Sequence, residues 1–160
     1  SYPLMKRFTY WPQLFLGFTF NYGLIMAWVS VNDNLSYYPV VFYLGAIFWT
    51  LGYDTIYGFQ DIKDDEIIGV KSTSIKFKKN PKIFIFSCYF FFYLSLILIG
   101  FLMTFSKFYF VFSLILFLQL FFFQIYSLNV DKPENCIKRF KSNNILGFLV
   151  FINILVGKIL

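Results

Sequence analysis

Residues 83–104 read IFIFSCYFFFYLSLILIGFLMT, an unbroken run without a single charged side chain. A helix rises about 1.5 Å per residue and the hydrocarbon core of a bilayer is about 30 Å thick, so this run is long enough to cross a membrane. The stretch therefore predicts a transmembrane helix.

The rest of the chain has the same character. Of its 160 residues, 59% are hydrophobic, 25% are aromatic and only 14% are charged, which is too little polar surface for a water-soluble domain of this length. Four further apolar runs are predicted as spans: Pro12–Val31, Pro39–Gly58, Phe108–Leu128 and Ile145–Leu160. Together with the first run they predict an all-α, polytopic transmembrane helical bundle that forms one domain over residues 1–160.

Basic residues are distributed unevenly between the two faces of such a bundle. Five spans place 12 of the 14 lysines and arginines on one face, and only Lys107 and Lys158 on the other. The positive-inside rule makes the basic face cytoplasmic. The net charge of +6 is then a topology signal, and its spread over separate loops argues against a nucleic-acid surface.

Two reactive residue types are scarce. The chain has no histidine, and its two cysteines, Cys88 and Cys136, lie far apart without a CxxC spacing. These observations exclude a zinc site and a histidine general base, and they do not indicate a disulfide.

The acidic residues, in contrast, are concentrated. Tyr53–Thr73 reads YDTIYGFQDIKDDEIIGVKST and holds five of the eight acids of the chain. If the second span continues as one helix, Asp54, Asp61 and Asp65 lie along a single stripe that leaves the bilayer, with Tyr57 beside it. Charged residues just past a span are commonly a solvated loop, but ionisable groups within a span are candidates for function.

The spacing of two of these acids indicates metal chemistry. Asp61 and Asp65 stand at i and i+4, close enough to share one Mg²⁺, an ion that binds one or two carboxylates together with phosphate oxygens. Gly69 is predicted to end the helix. Lys71 and Arg7 then either contact a phosphate group or serve only to set topology.

One polar pair interrupts the last run. Asn143 and Asn144, followed by Gly147, are expected to cap the start of the final span and to allow a close helix contact. No chemistry is assigned to them.

The acidic stretch also resembles a known motif. It is similar to the second aspartate-rich segment of the UbiA family of intramembrane aromatic prenyltransferases, whose pattern is YDTxYAxxDxxDDxxxGxKSTA in the branch that acts on 4-hydroxybenzoate in ubiquinone biosynthesis. YPLMKRFTYWPQLFLGF near the start and SNNILGFLVF near the end agree with the same branch. Gly58 and Ser74 stand where the family often carries alanine, and little effect is expected from either.

This resemblance implies a bundle around a central cavity, with Mg²⁺ and a diphosphate at its cytoplasmic mouth. By position in the motif, Asp61 and Asp65 are implied as metal ligands, Asp54 and Tyr57 as further catalytic residues, and Arg7 and Lys71 as substrate-binding residues. The implied reaction moves a polyprenyl group from a polyprenyl diphosphate to the ring of 4-hydroxybenzoate. The implied location is the bacterial or mitochondrial inner membrane.

The resemblance further implies a missing partner region. The family has about nine spans and an earlier NDxxDxxxD motif, neither of which this chain contains, so we expect the chain to be a C-terminal half that is inactive alone. Two alternatives stay open at this point. One is a non-catalytic membrane module, such as part of a transporter or an assembly subunit, whose acidic stripe binds ions. The other is a family member with a different aromatic acceptor.

Overall fold

The computed structural model describes residues 2–159, and helices are the only regular secondary structure over that range. Five of them are long and apolar enough to cross a membrane: α2 (Pro12–Asn32), α3 (Tyr37–Gly58), α6 (Pro81–Leu102), α7 (Lys107–Tyr126) and α8 (Pro133–Ile159). The all-α, five-span prediction is therefore confirmed, and the observed bounds differ from the predicted ones mainly at the ends.

Three short helices lie outside the spans. They are α1 (Tyr2–Phe8), which precedes α2, and α4 (Ile62–Ile68) and α5 (Thr73–Lys76), which lie between α3 and α6. The acidic segment that follows α3 is thus a folded helix–turn–helix connection.

Helix α3 is the centre of the bundle and packs against α2, α6 and α8. Its close contact with α6 depends on Gly52, where an added Cβ would lie 2.5 Å from the Tyr89 ring. The buried core on the α6 side includes Tyr89, Phe92 and Leu96, all fully shielded. A small residue such as Gly52 lets two membrane helices approach closely enough for van der Waals packing, which is a main attraction between helices in lipid.

The last span begins much earlier than predicted. Helix α8 starts at Pro133 rather than Ile145, so the predicted start is wrong, while the final predicted residue, Leu160, lies outside the described residues. Proline is well suited to a first helical turn. The charged residues that follow Pro133 made this part of the helix hard to predict from the sequence. Arg139 is accommodated there because its guanidinium stacks on the Phe123 ring at 4.0 Å and donates to the Ser127 carbonyl at 3.4 Å.

The second half of α7 is a π-helix, Leu118–Tyr126. Nine residues is long for this conformation, which is rare and usually limited to single turns at functional positions. The π segment turns Leu120, Gln124 and Ile125 into the bundle.

Candidate functional site

The acidic segment does not continue α3 as one helix. Helix α3 ends at Gly58, and α4 begins at Ile62 with Asp61 at its N-cap position. The Phe59 N–H donates to the Ile56 carbonyl at 3.2 Å, a tight bond that closes the helix. The prediction of one straight stripe through Asp54, Asp61 and Asp65 is therefore wrong.

Ser74 contributes to this break. Its hydroxyl donates to the Thr55 carbonyl in the last turn of α3 at 2.8 Å. Helix α5 thus lies across the end of α3, and the connecting chain must turn away. The local sequence at residues 59–61 did not predict the end of α3, because the stabilising residue, Ser74, lies on a later segment.

Asp61 and Asp65 nonetheless remain one turn apart. The Asp65 N–H donates to the Asp61 carbonyl at 2.9 Å, which is the i to i+4 relation that the spacing predicted. The Asp61 carboxylate does not cap α4 and accepts instead from Gln60 Nε2 at 3.1 Å. Asp61 and Asp65 therefore lie at the two ends of the first turn of α4. Gly69 ends α4 in a left-handed conformation with φ of 77°, as predicted.

Asp65 is the more buried of the pair and has a cationic partner. It is 9% exposed, and its Oδ2 lies 3.5 Å from Lys6 Nζ on α1. Arg7, the cation that the sequence singled out, is exposed beside Lys6. The structure therefore brings a different residue of α1 to the acidic pair.

Lys71 is attached to the end of α1. Its backbone N–H donates to the Lys6 carbonyl at 2.7 Å, and its Nζ lies 3.5 Å from the Phe8 carbonyl and 5.6 Å from the centre of the Tyr10 ring. The segment after Gly69 thus places α1, with its two cations, next to α4.

The three consecutive hydroxyl residues Ser72, Thr73 and Ser74 fix this arrangement, and sequence reasoning missed their role. Thr73 and Thr55 share a hydrogen bond of 2.6 Å, and the Thr73 N–H donates to Gln13 Oε1 on α2 at 3.1 Å. Ser72 caps α5 by accepting from the Ile75 N–H at 3.3 Å. A run of three small hydroxyl residues shortly after a helix-ending glycine is the signal that would have indicated buried packing.

Asp54 and Tyr57 lie on the final turns of α3. Asp54 is 9% exposed, while Tyr57 is 38% exposed and its ring centre is 4.7 Å from that of Phe140 on α8. Tyr53 lies 5.8 Å from the same Phe140 ring and 5.8 Å from Trp49. Trp49, Tyr53 and Tyr57, spaced by four residues, form an aromatic row along α3 that ends beside the acidic segment.

A cleft of about 410 Å³ opens beside this row, between α2, α3 and α8. Its lining is aromatic and amide-bearing: Phe20, Asn21, Trp49, Thr50, Tyr53, Phe140, Lys141, Asn143, Asn144, Gly147 and Phe148. The prediction that Asn143 and Asn144 cap the start of the final helix is therefore wrong. They lie in its interior, with Asn143 buried and Asn144 exposed.

The carboxylates fit part of a Mg²⁺ site. Over residues 2–159, no group of three or more acidic or cysteine side chains is arranged to hold a metal ion. Mg²⁺ needs only one or two carboxylates when phosphate oxygens and water supply the remaining ligands. Asp61 and Asp65 meet that requirement, and the nearby ammonium groups suit the phosphate charge.

Fold and site together define a class of protein. This is an integral membrane protein whose helices enclose an aromatic cleft and carry a carboxylate pair, with cations beside it, at one end of the bundle.

The chain belongs to the UbiA prenyltransferase family, whose family model matches residues 1–154. It is 40% identical to the mitochondrial 4-hydroxybenzoate polyprenyltransferase of Bos taurus over 99% of this chain and 43% of that protein. It is 39% identical to the corresponding Homo sapiens protein over 99% of the chain and 43% of that protein. It is also 39% identical to 4-hydroxybenzoate geranyltransferase 2 of Lithospermum erythrorhizon, over 99% of the chain and 52% of that protein.

The chain thus spans about two fifths to one half of the length of these curated relatives. No solved structure matches it significantly.

Proposed function

We propose that this chain forms the diphosphate-binding part of an enzyme that transfers a polyprenyl group to the ring of 4-hydroxybenzoate in ubiquinone biosynthesis. The observation that carries the proposal is the Asp61–Asp65 pair, one helical turn apart at the end of the bundle in a member of the UbiA family. The names of the relatives support the acceptor and the donor.

Asp61 and Asp65 are proposed to hold Mg²⁺ together with the diphosphate oxygens. When bound, the ion neutralises the charge that grows on the leaving diphosphate. Lys6 lies 3.5 Å from Asp65, and Arg7 and Lys71 occupy the same side of the bundle, so these cations are proposed to attract and orient the diphosphate.

Asp54 and Tyr57 are proposed to act at the inner edge of this site. They lie three residues apart near the end of α3, ahead of the carboxylate pair in the chain, and Tyr57 is the last member of the aromatic row. A mostly aromatic cleft excludes water and favours a cationic allylic carbon. In the reaction the allylic C–O bond breaks with its electron pair going to diphosphate, the ring carbon next to the phenol oxygen bonds to the allylic carbon, and the ring loses a proton.

The activity is proposed to require more than this chain. The relatives are about twice as long, and the two carboxylates leave room for further metal ligands. We propose that a region corresponding to the rest of the relatives' length supplies those ligands and completes the cleft, and that this region and the present chain together form the complete enzyme.

The membrane orientation is also a proposal. The uneven distribution of basic residues supports a cytoplasmic or matrix location for the acidic segment, in a bacterial or mitochondrial inner membrane.

The test compares three asparagine variants of the complete enzyme in isolated membranes. Asp61→Asn and Asp65→Asn are expected to lower Mg²⁺-dependent incorporation of radiolabelled prenyl diphosphate into 4-hydroxybenzoate by at least about 100-fold. Asp64→Asn, an exposed neighbour in the same turn, is the matched control and should stay within about threefold of wild type. Near-normal turnover in the first two variants, at equal membrane content, would overturn the proposal.

A further inference from the structure

A buried network of polar side chains joins four elements of the bundle. Asn143 Oδ1 on α8 accepts from Trp49 Nε1 on α3 at 2.8 Å and from Gln124 Nε2 in the π segment at 2.9 Å. Gln124 Oε1 in turn accepts from the Tyr89 hydroxyl on α6 at 2.6 Å. Tyr89, Gln124 and Asn143 are all buried, in a region where apolar packing alone would hold helices together.

Asn143 is fixed independently of Trp49. Its Nδ2 donates to the Arg139 carbonyl at 3.1 Å and the Phe140 carbonyl at 3.0 Å. These bonds set the amide orientation, so that Oδ1 is presented to the two donors. Gln124 reaches the Asn143 amide from the π segment, so this unusual conformation has a structural role in the network.

Trp49 is held on three sides as a result. Its indole stacks on Phe92, with ring centres 5.0 Å apart and planes 11° apart, and its Nε1 is tied to Asn143. Gly147 admits the far edge of the indole, since a Cβ at that position would lie 3.3 Å from it. The same indole lines the cleft, at the inner end of the aromatic row that leads to the acidic segment.

We propose that Asn143 is a positioning residue: it fixes the Trp49 indole in the cleft wall, so that the ring keeps water out of the cleft while the allylic cation exists. This inference rests on the proposed prenyl transfer. A purely apolar core would pack α3 against α8 without choosing the orientation of the indole.

The proposal concerns how the cation partitions. After the allylic C–O bond breaks, the cation bonds either to a ring carbon of 4-hydroxybenzoate, which then loses a proton, or to water, which gives a prenyl alcohol and releases a proton. A loosened indole admits water and favours the second outcome. The ratio of prenyl alcohol to prenylated benzoate therefore reports on Trp49 directly, whereas a general loss of folded enzyme lowers both products together.

The experiment uses Asn143→Leu in the complete enzyme, with Gln124→Leu as the matched control. Both changes replace a buried amide by leucine, but only the first removes the acceptor of Trp49. Asn143→Leu is expected to raise the alcohol-to-benzoate ratio about tenfold and lower kcat, with the KM for prenyl diphosphate unchanged within about twofold. Gln124→Leu is expected to lower thermal stability and leave the ratio near the wild-type value.

Trp49→Phe provides a second, independent variant. Phenylalanine keeps an apolar ring but has no N–H to bond Asn143, so it should raise the ratio in the same way. Adding Asn143→Leu to Trp49→Phe should then change the ratio by less than about twofold, because the residue acts through the indole. An unchanged ratio in Trp49→Phe, or equal ratios in Asn143→Leu and Gln124→Leu, would overturn the inference. Absence of prenylated benzoate with the wild-type enzyme would instead overturn the proposed function.

Discussion

The Cα of Gly58 lies directly against the side chain of Ser74, with no room for a Cβ between them. An added Cβ at position 58 would collide with Ser74 Oγ, the atom that donates to the Thr55 carbonyl at 2.8 Å. The two residues are therefore coupled, and together they join α5 to the end of α3. Both positions differ from the alanine that the family often carries, and the contact between them means that a change at one position affects the other.

We expect Gly58→Ala to destabilise the protein by about 1–3 kcal/mol, because the new methyl group displaces Ser74. Ser74→Ala alone should cost about 1 kcal/mol through the lost hydrogen bond. The double variant should be more stable than the sum of the singles predicts, since the smaller side chain at position 74 admits the methyl group and alanine favours the helix. Thermal unfolding of the detergent-solubilised complete enzyme measures all three. Strict additivity would contradict the coupling.

Gln13 supports the same corner from α2. It is 2% exposed, and its Oε1 accepts the Thr73 N–H at 3.1 Å. Gln13→Leu should lower stability by about 1–3 kcal/mol, because it leaves a buried N–H without an acceptor. It should also weaken diphosphate binding, since the segment that carries Lys71 is no longer held.

The control for this change is Gln119→Leu. Gln119 also interrupts an apolar helix, but its side chain makes no hydrogen bond within residues 2–159, and leucine there should leave the unfolding temperature unchanged or raise it. Equal losses in both variants would show that glutamine in these helices matters for a reason other than the Thr73 contact.

Lys6 should contribute to diphosphate binding through its position beside Asp65. We expect Lys6→Met to raise the KM for polyprenyl diphosphate about tenfold, because a positive charge 3.5 Å from the carboxylate is removed from the binding region. The effect should shrink at high ionic strength, as for any partly exposed charge. Steady-state kinetics at two salt concentrations measures it.

Lys79→Met is the matched control for Lys6. Lys79 is exposed on the same basic side, in the turn before α6, and within residues 2–159 it forms no ion pair with Asp65 or Glu66, unlike Lys6 and Lys78. It should leave the KM within about twofold of wild type. A tenfold rise in both variants would mean that overall charge, rather than the contact with Asp65, governs binding.

The sequence predicted the spans well because the requirement behind them is local. A membrane helix must satisfy every backbone group within itself and present apolar side chains, so each span is visible as an apolar run. The spacing of Asp61 and Asp65 was equally local. Their relation survives the break in the helix because both belong to the turn that begins α4.

The features that were missed depend on residues far apart in the chain. The break after Gly58 is stabilised by Ser74, and the cation beside Asp65 comes from α1 rather than from a neighbouring position. Trp49 and Asn143 are 94 residues apart, so their contact has no signature in either local sequence. Isolated polar residues within the apolar runs indicated that such contacts exist. The sequence alone did not show which residues they contact, because the partners lie on other helices.

The two ends of α6 should face opposite sides of the membrane. Lys79 precedes this helix and Lys107 follows it, and both side chains are exposed. With the other cysteines of the complete enzyme replaced, Lys79→Cys should react with a membrane-impermeant maleimide only from the cytoplasmic or matrix side. Lys107→Cys should react only from the opposite side. The native Cys88 and Cys136 are buried, so their replacement by alanine should disturb the surface little. Labelling of both positions from one side would contradict the crossing of α6, whereas a clean reversal would keep the five spans and contradict the orientation that the basic residues indicate.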